Sequence, residues 1–238
     1  MKKTLTPLVL AGLALSAVAC GGAAEAEAET VPAHLSDRYP STTASDWITY
    51  ADVVAVVNVR DEERGKPTAD DLEKGEGAIP RSAELAVEEG VWQREGGRSL
   101  PDSLDYPVLG WHFNDHDPGK AKALVADDRP LCEEDNQYLI ALTWLDERCY
   151  EGQPPIPGRW VGLGAGSEMP ITNGVLGVGE FAGEKRDLKT ARSESEDLAD
   201  SSVIAQVTGG TIEDLKALLT AAKPGKRSSD FDPKPSDC

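Results

Sequence analysis

The sequence predicts a mainly β fold with an added α component (β+α): an antiparallel sheet or a small barrel of about six strands, with a C-terminal helix docked on it. Three observations lead to this prediction. Short runs of β-branched and apolar residues are separated by turn-forming residues, strands and helices do not alternate, and one amphipathic helix lies near the C-terminus. Residues 45–222 are long enough to form a single mainly β domain with its own core.

The first predicted elements are a short helical turn and a fully covered strand. Ser45 can cap the turn, which would carry Trp47 and Tyr50 toward the core. Residues 51–59 are rich in valine and present no polar face before Asn58, as expected for a strand covered on both sides.

The next two predicted strands are partly exposed. In residues 83–88, small or apolar side chains alternate with glutamates, which is typical of a half-exposed strand, and Val91 and Trp92 extend it. Residues 106–113 form another candidate strand, which Pro107 places at an edge of the sheet.

The remaining elements are a central strand, two short strands and a helix. Residues 138–145 form an uninterrupted apolar run of strand length, and the glycine-punctuated stretches 159–163 and 175–178 complete the set. Thr211 and Asp214 form a capping pattern for a helix whose apolar face would dock on the sheet: Ile212, Leu215, Leu219 and Ala222.

The N-terminus carries the most informative pattern in the chain. Lys2 and Lys3 precede an apolar segment over residues 8–18, and small residues then lead to Cys20. The apolar run is too short to span a bilayer as a helix, which favours a processed signal. The pattern resembles a bacterial lipoprotein signal peptide, and the resemblance implies lipid attachment at Cys20.

This resemblance sets the predicted organisation of the whole chain. Residues 1–19 would be the signal peptide, and residues 20–44 a disordered tether rich in alanine and glutamate. The domain would follow over 45–222, and residues 223–238 would form a flexible tail. The expected location is the extracytoplasmic face of the cell membrane, with the membrane contacted through the lipid.

Charge narrows the range of partners. The chain has a formal net charge of −18, with 24 basic and 42 acidic residues. Removal of the signal peptide takes away Lys2 and Lys3 and leaves −20. A field of this sign disfavours nucleic acid as a partner. We expect a monomer without a cofactor that can meet a protein partner in the envelope.

A second resemblance involves aromatic and valine positions that fill cores. The chain is similar over residues 45–180 to uncharacterised lipoproteins of actinobacteria, in the order Trp47-x-x-Tyr50-Ala51-Asp52, Val91-Trp92, Gly110-Trp111, Gln137-Tyr138-Leu139, Trp160, Pro170 and Asn173-Gly174-Val175. The succession of strands is also loosely similar to OB-type barrels, including netrin-like modules. Neither resemblance implies an activity.

Three cysteines remain when Cys20 is set aside, and two of them should pair in an oxidising compartment. Cys132 and Cys149 are the nearest pair in sequence. The strand between them would have to be flanked by segments that fold back along it. Pairing of Cys149 with Cys238 is the alternative.

The candidate chemistry lies in residues 111–117, which contain two of the three histidines among carboxylates. His112, His116, Asp115 and Asp117 could gather around a divalent cation, although Pro118 favours a turn and a polar hairpin tip. Adjacent acids such as Asp127-Asp128 indicate solvated surface. The leading hypothesis is a non-enzymatic binding or interaction module, and the alternative is an envelope enzyme that uses His112 and His116.

Overall fold

A computed structural model describes residues 30–149 and 155–231 of the chain. The predicted signal peptide and Cys20 lie outside the described residues, as do Cys238 and the first part of the predicted tether. The described elements are, in chain order, β1 Thr30–Pro32, α1 Ala44–Tyr50, β2 Val53–Arg64, α2 Ala69–Lys74, β3 Gly77–Gln93, β4 Ser103–Phe113, β5 Lys122–Val125, β6 Gln137–Leu145, β7 Arg159–Gly162, β8 Glu168–Thr172, β9 Val175–Leu176, β10 Gly179–Phe181, β11 Glu184–Arg186, α3 Leu188–Ser195, α4 Val203–Val207 and α5 Ile212–Ala221.

The main sheet is open and almost entirely antiparallel. Its nine described strands run in the order β1-β5-β4-β3-β2-β6-β8-β9, with β7 also paired to β6, and only β1 and β5 pair in parallel. A separate hairpin is formed by β10 and β11. The predicted mainly β class with a few helices is confirmed. The barrel alternative is wrong, because the sheet does not close.

The two central strands explain why their sequences are apolar on both faces. Along β2, Val54 and Val56 join the core beneath the helices, whereas Val53, Ala55 and Val57 join the core on the opposite face. The helix-side core contains Trp47 of α1 and, from α5, the residues Leu215 and Leu219. These buried leucines confirm the predicted docking of the C-terminal helix, which is capped by Thr211 and Asp214.

The sheet curls so that β4 faces β7 across the core that lies on the side of the sheet away from the helices. Register shifts between β2 and β3 fall after Val54, Val56 and Val59, and such irregularities increase strand twist. At the closest point, a Cβ atom on Gly162 would collide with the hydroxyl of Tyr106. Glycine is therefore required at position 162 for β7 to lie this close to β4. The approach partly encloses the core, although strand pairing does not close the sheet.

The predicted boundaries and strand number differ from the structure. Residues 30–44, predicted as tether, contain β1 and the buried Tyr39. The predicted tail packs back on α1 as far as Phe231, whose ring lies 5.6 Å from that of Tyr50. The prediction of about six strands omitted short strands that lack a periodic pattern, among them β1, β5, β8, β10 and β11.

The helix before β2 is also capped differently from the prediction. Thr43, and not Ser45, is the N-cap of α1, since its hydroxyl accepts from the backbone of Asp46 in a capping box. The Ser45 hydroxyl instead donates to the carbonyl of Lys223, at 2.8 Å. Trp47 and Tyr50 point into the core as predicted, with 0% and 5% of their surface exposed.

Candidate functional site

The predicted metal candidates lie on and just after the end of β4. His112 is in the strand, and Asp115 and His116 form the tight turn after it, with φ values of 54° and 57°. Asp117 caps the following single turn of helix and pairs with Lys120 at 3.1 Å. The segment is therefore a turn at a strand end, as Pro118 indicates.

The two histidines are not brought together with carboxylates. Among the residues that the structure describes, no group of three or more His, Cys, Asp and Glu side chains could hold a metal ion. The backbone of His116 donates to the carbonyl of Gly75 at 2.9 Å, and its ring fills the space where a Cβ of Gly75 would lie. The turn thus packs against the end of α2, and a metal centre at His112 and His116 has no geometric support.

The predicted disulfide between Cys132 and Cys149 is wrong. Cys132 is a free thiol, 1% exposed, in the core that faces away from the helices. Cys149 lies beyond the other end of β6, a nine-residue strand that spans about 30 Å. Burial raises the pKa of the Cys132 thiol well above its usual range, and the nearby carboxyl groups of Glu168 and Glu180 add to this effect.

Glu180 is a buried anchor for the β10–β11 hairpin. Its carboxylate accepts from the backbone N–H groups of Leu131 at 3.1 Å and Gly183 at 2.8 Å, and from the Tyr138 hydroxyl at 2.6 Å. These three contacts connect the hairpin to the loop before β6 and to β6 itself. Burial, followed by the charge of Glu180, raises the pKa of Tyr138, so this hydroxyl remains a donor.

A second buried glutamate lies where β4 faces the start of β8. The Tyr106 hydroxyl donates to Glu168 at 2.6 Å, and 6% of the Glu168 surface is exposed. Burial raises the pKa of the Glu168 carboxyl, while the hydrogen bond from Tyr106 and the charge of Arg129 act in the opposite direction. The Tyr106–Glu168 pair could hold a proton. Among the described residues, no histidine lines the small cavity of about 220 Å³ beside it.

The buried Arg81 is a structural group. Its Nε and Nη2 donate to the Glu62 carboxylate, Nη2 also donates to the Cys132 carbonyl, and Nη1 donates to the carbonyls of Leu109 and Leu131. All five N–H donors of the guanidinium are thereby used within the chain. A cavity of about 380 Å³ lies beside this group. Arg81 has no donor left for a ligand there.

A third cavity has the features of a small-ligand site, and we call it the hairpin cavity. It has a volume of about 410 Å³ and lies between the β10–β11 hairpin, α3, α4 and the loop before β8. This volume lies within the range of ligand pockets, about 300–1,000 Å³. Its apolar wall is formed by five side chains: Ala165, Phe181, Ala191, Leu198 and Ile204.

Arg186 provides the polar group on this wall. Its side chain is 10% exposed, its guanidinium carbon lies 3.7 Å from the centre of the Phe181 ring, and Nη1 donates to Glu194 at 2.6 Å. Its Nε is buried and has no hydrogen-bond partner within the described part of the chain. A buried donor without a partner costs about 1–3 kcal/mol.

Carboxylates surround the same cavity. Asp37, Asp127, Asp128 and Glu194 all line it. Two hydrogen bonds hold the Asp37 carboxylate in place: it accepts from the Ala165 backbone N–H at 2.8 Å and from the Ser41 hydroxyl at 2.7 Å. The hairpin cavity therefore combines an apolar wall, one buried arginine and an acidic rim.

Comparison with known proteins adds no relative to this description: no protein-family model matches the chain, and no similar curated protein or solved structure was found.

The hairpin cavity has no signature in the sequence, because its residues come from separate segments. The sequence predicts that Asp127 and Asp128 are solvated surface residues. Both are exposed, but they also line the hairpin cavity. Phe181 and Arg186 lie in strands of three residues each, too short to show periodicity. The glycines within residues 162–166 are the one sequence feature that could have indicated close packing here, because they allow the chain to pass close to Asp37 and Ser41.

Proposed function

We propose that this protein is a lipid-anchored, extracytoplasmic binding module that holds a small ligand in the hairpin cavity without transforming it. The observation that carries the binding part is the hairpin cavity itself: a space of about 410 Å³ with an apolar wall and the nine-tenths buried Arg186 in its lining.

The anchoring part rests on the sequence around Cys20. Thr30, where the described structure begins, is ten positions after Cys20, and ten positions span at most about 35 Å. No helix in the described ranges is both long and apolar enough to cross a membrane. Two acyl chains would suffice for stable retention, at about 0.8 kcal/mol for each buried methylene.

A binding role fits the hairpin cavity better than catalysis does. Histidine and cysteine are the side chains that most often act as base and as thiolate nucleophile near neutral pH. The described lining of the hairpin cavity contains hydroxyl groups and carboxylates but neither histidine nor cysteine. The alternative of an envelope enzyme at His112 and His116 has no convergent site to support it.

Anchoring is tested by expressing the full chain in a bacterium that processes lipoproteins. We expect the wild-type protein in the membrane fraction, with an acylated N-terminal peptide detected by mass spectrometry. The Cys20→Ala variant should be released, whereas the control Cys132→Ala should remain in the membrane. Wild-type protein found unacylated in the culture fluid would contradict the proposal.

Binding is tested by protein-observed NMR with a library of small amphipathic compounds. We expect shift changes centred on the backbone amides of Phe181, Leu198 and Ile204. Leu198 is 41% exposed, so Leu198→Trp should fill the cavity without disturbing the core and should abolish these changes. Leu72→Trp is the matched control, since Leu72 is 48% exposed and lies elsewhere on α2. The same shifts in Leu198→Trp would contradict the proposed site.

A further inference from the structure

We infer that the ligand of the hairpin cavity is an amphipathic cation: a compact apolar body that carries one protonated amine. This inference rests on the proposed binding function and specifies the ligand. It follows from how the charges around the cavity are paired and from its apolar wall.

The charges at the cavity do not balance. Glu194 is matched by Arg186 at 2.6 Å, and Arg129 is shared between Asp37 at 3.4 Å and Asp128 at 3.5 Å. Asp127 is exposed and has no ion-pair partner among the residues that the structure describes. Asp127 is thus left unpaired at the rim, and Arg129 offsets the charge of only one of its two carboxylates, in a protein whose overall charge of −18 reinforces the local field. This arrangement favours a positive group on the ligand and disfavours a negative one.

The interior of the cavity sets the body of the ligand. Phe181, Leu198 and Ile204 contribute its large apolar side chains. A volume of about 410 Å³ is near the lower end of the usual range for ligand pockets, about 300–1,000 Å³. One ring or a short branched chain fits this space.

Arg186 does not call for an anionic ligand. Glu194 already neutralises its charge at 2.6 Å, and its guanidinium packs on the Phe181 ring.

The test uses three probes with the same aromatic body and different end groups: phenethylamine, phenethyl alcohol and 3-phenylpropanoate. Dissociation constants are measured by NMR titration at low ionic strength, with shifts followed at Phe181, Leu198 and Asp127. We expect the amine to bind about tenfold more tightly than the carboxylate, with the alcohol between them. The preference should shrink at high salt, because exposed charges are screened.

A variant pair assigns the preference to one carboxylate. Asp127→Asn should weaken amine binding about three- to tenfold and leave the affinity for the alcohol unchanged. Asp105→Asn is the control, since Asp105 is an exposed acid on β4 that does not line the cavity and its loss changes the net charge equally. Both residues are exposed, so both variants should fold.

The outcomes separate the two proposals. If the alcohol or the carboxylate binds at the cavity as tightly as the amine, the cationic class is overturned and the binding function stands. If Asp105→Asn weakens amine binding as much as Asp127→Asn does, a diffuse surface field accounts for the preference and the inference is overturned. If none of the three probes shifts the cavity residues, the proposed binding site is overturned as well.

Discussion

The two buried glutamates differ in their hydrogen-bond partners. Glu180 accepts from two backbone N–H groups and from Tyr138, whereas Glu168 lies against the Tyr106 hydroxyl with burial as the main influence on its pKa. The raised pKa of Glu168 means that the folded protein keeps this proton to a higher pH than the unfolded chain does.

Glu168 should therefore make the protein less stable as pH rises. Above about pH 4.5 the unfolded chain loses this proton first, so the free energy of unfolding falls until the folded pKa is reached. The slope is at most about 1.4 kcal/mol per pH unit. Relative to wild type, Glu168→Gln should gain stability as pH increases through this window, as measured by urea unfolding from pH 4.5 to 7.5. A constant difference, or the same gain in the exposed control Glu84→Gln, would contradict this account.

Cys132 should behave as a protected thiol. It is 1% exposed, and its thiolate is disfavoured by burial. We expect no reaction with a thiol reagent such as iodoacetamide in the folded protein and complete reaction in denaturant. A non-reducing peptide map should accordingly show the Cys132 peptide as a free, late-alkylated species. A disulfide-linked Cys132 in that map would be incompatible with the structure.

At the scale of elements, the β10–β11 hairpin depends on one side chain. Glu180→Ala would leave three donors without this acceptor, two of them buried: the buried Leu131 N–H and Tyr138 hydroxyl, and the more exposed Gly183 N–H. We expect a loss of about 3 kcal/mol in the free energy of unfolding and faster amide exchange at Leu131 and Gly183. Glu184→Ala is the control, since Glu184 is exposed in the same hairpin. Equal effects of the two variants would exclude the anchoring role of Glu180.

The elements that could be predicted from the sequence share a strong periodic or apolar signal. β2 and β6 are apolar on both faces because both faces are covered, and α5 has a complete capping box with its apolar stripe. β10 and β11 carry no such signal in three residues each, and Glu180 is indistinguishable in sequence from a surface glutamate. The hairpin cavity could not be predicted for this reason, because its residues acquire their roles only through contacts between distant segments.

For the whole molecule, the decisive contact is the approach of β4 to β7. Gly162 is the point of closest contact, and a Cβ there would meet both Tyr106 and Glu168. Gly162→Ala should cost about 1–3 kcal/mol through overpacking. Gly90→Ala, on β3, is the control, because a Cβ there meets nothing within 4 Å. Thermal unfolding of the two variants measures the difference, and an unchanged melting temperature for Gly162→Ala would show that the sheet is less curled than described.

The two strands that end the order of the main sheet are short as described, and this matters if the protein is anchored as proposed. β1 is described over three residues and ends in Pro32, which cannot donate to a neighbouring strand, and β9 at the opposite border has two residues. Confinement to a membrane plane would raise the encounter rate between copies, and long unpaired edge strands would then favour pairing between molecules. Under the proposed anchoring, such short edges would disfavour intermolecular pairing even at high density on a cell surface.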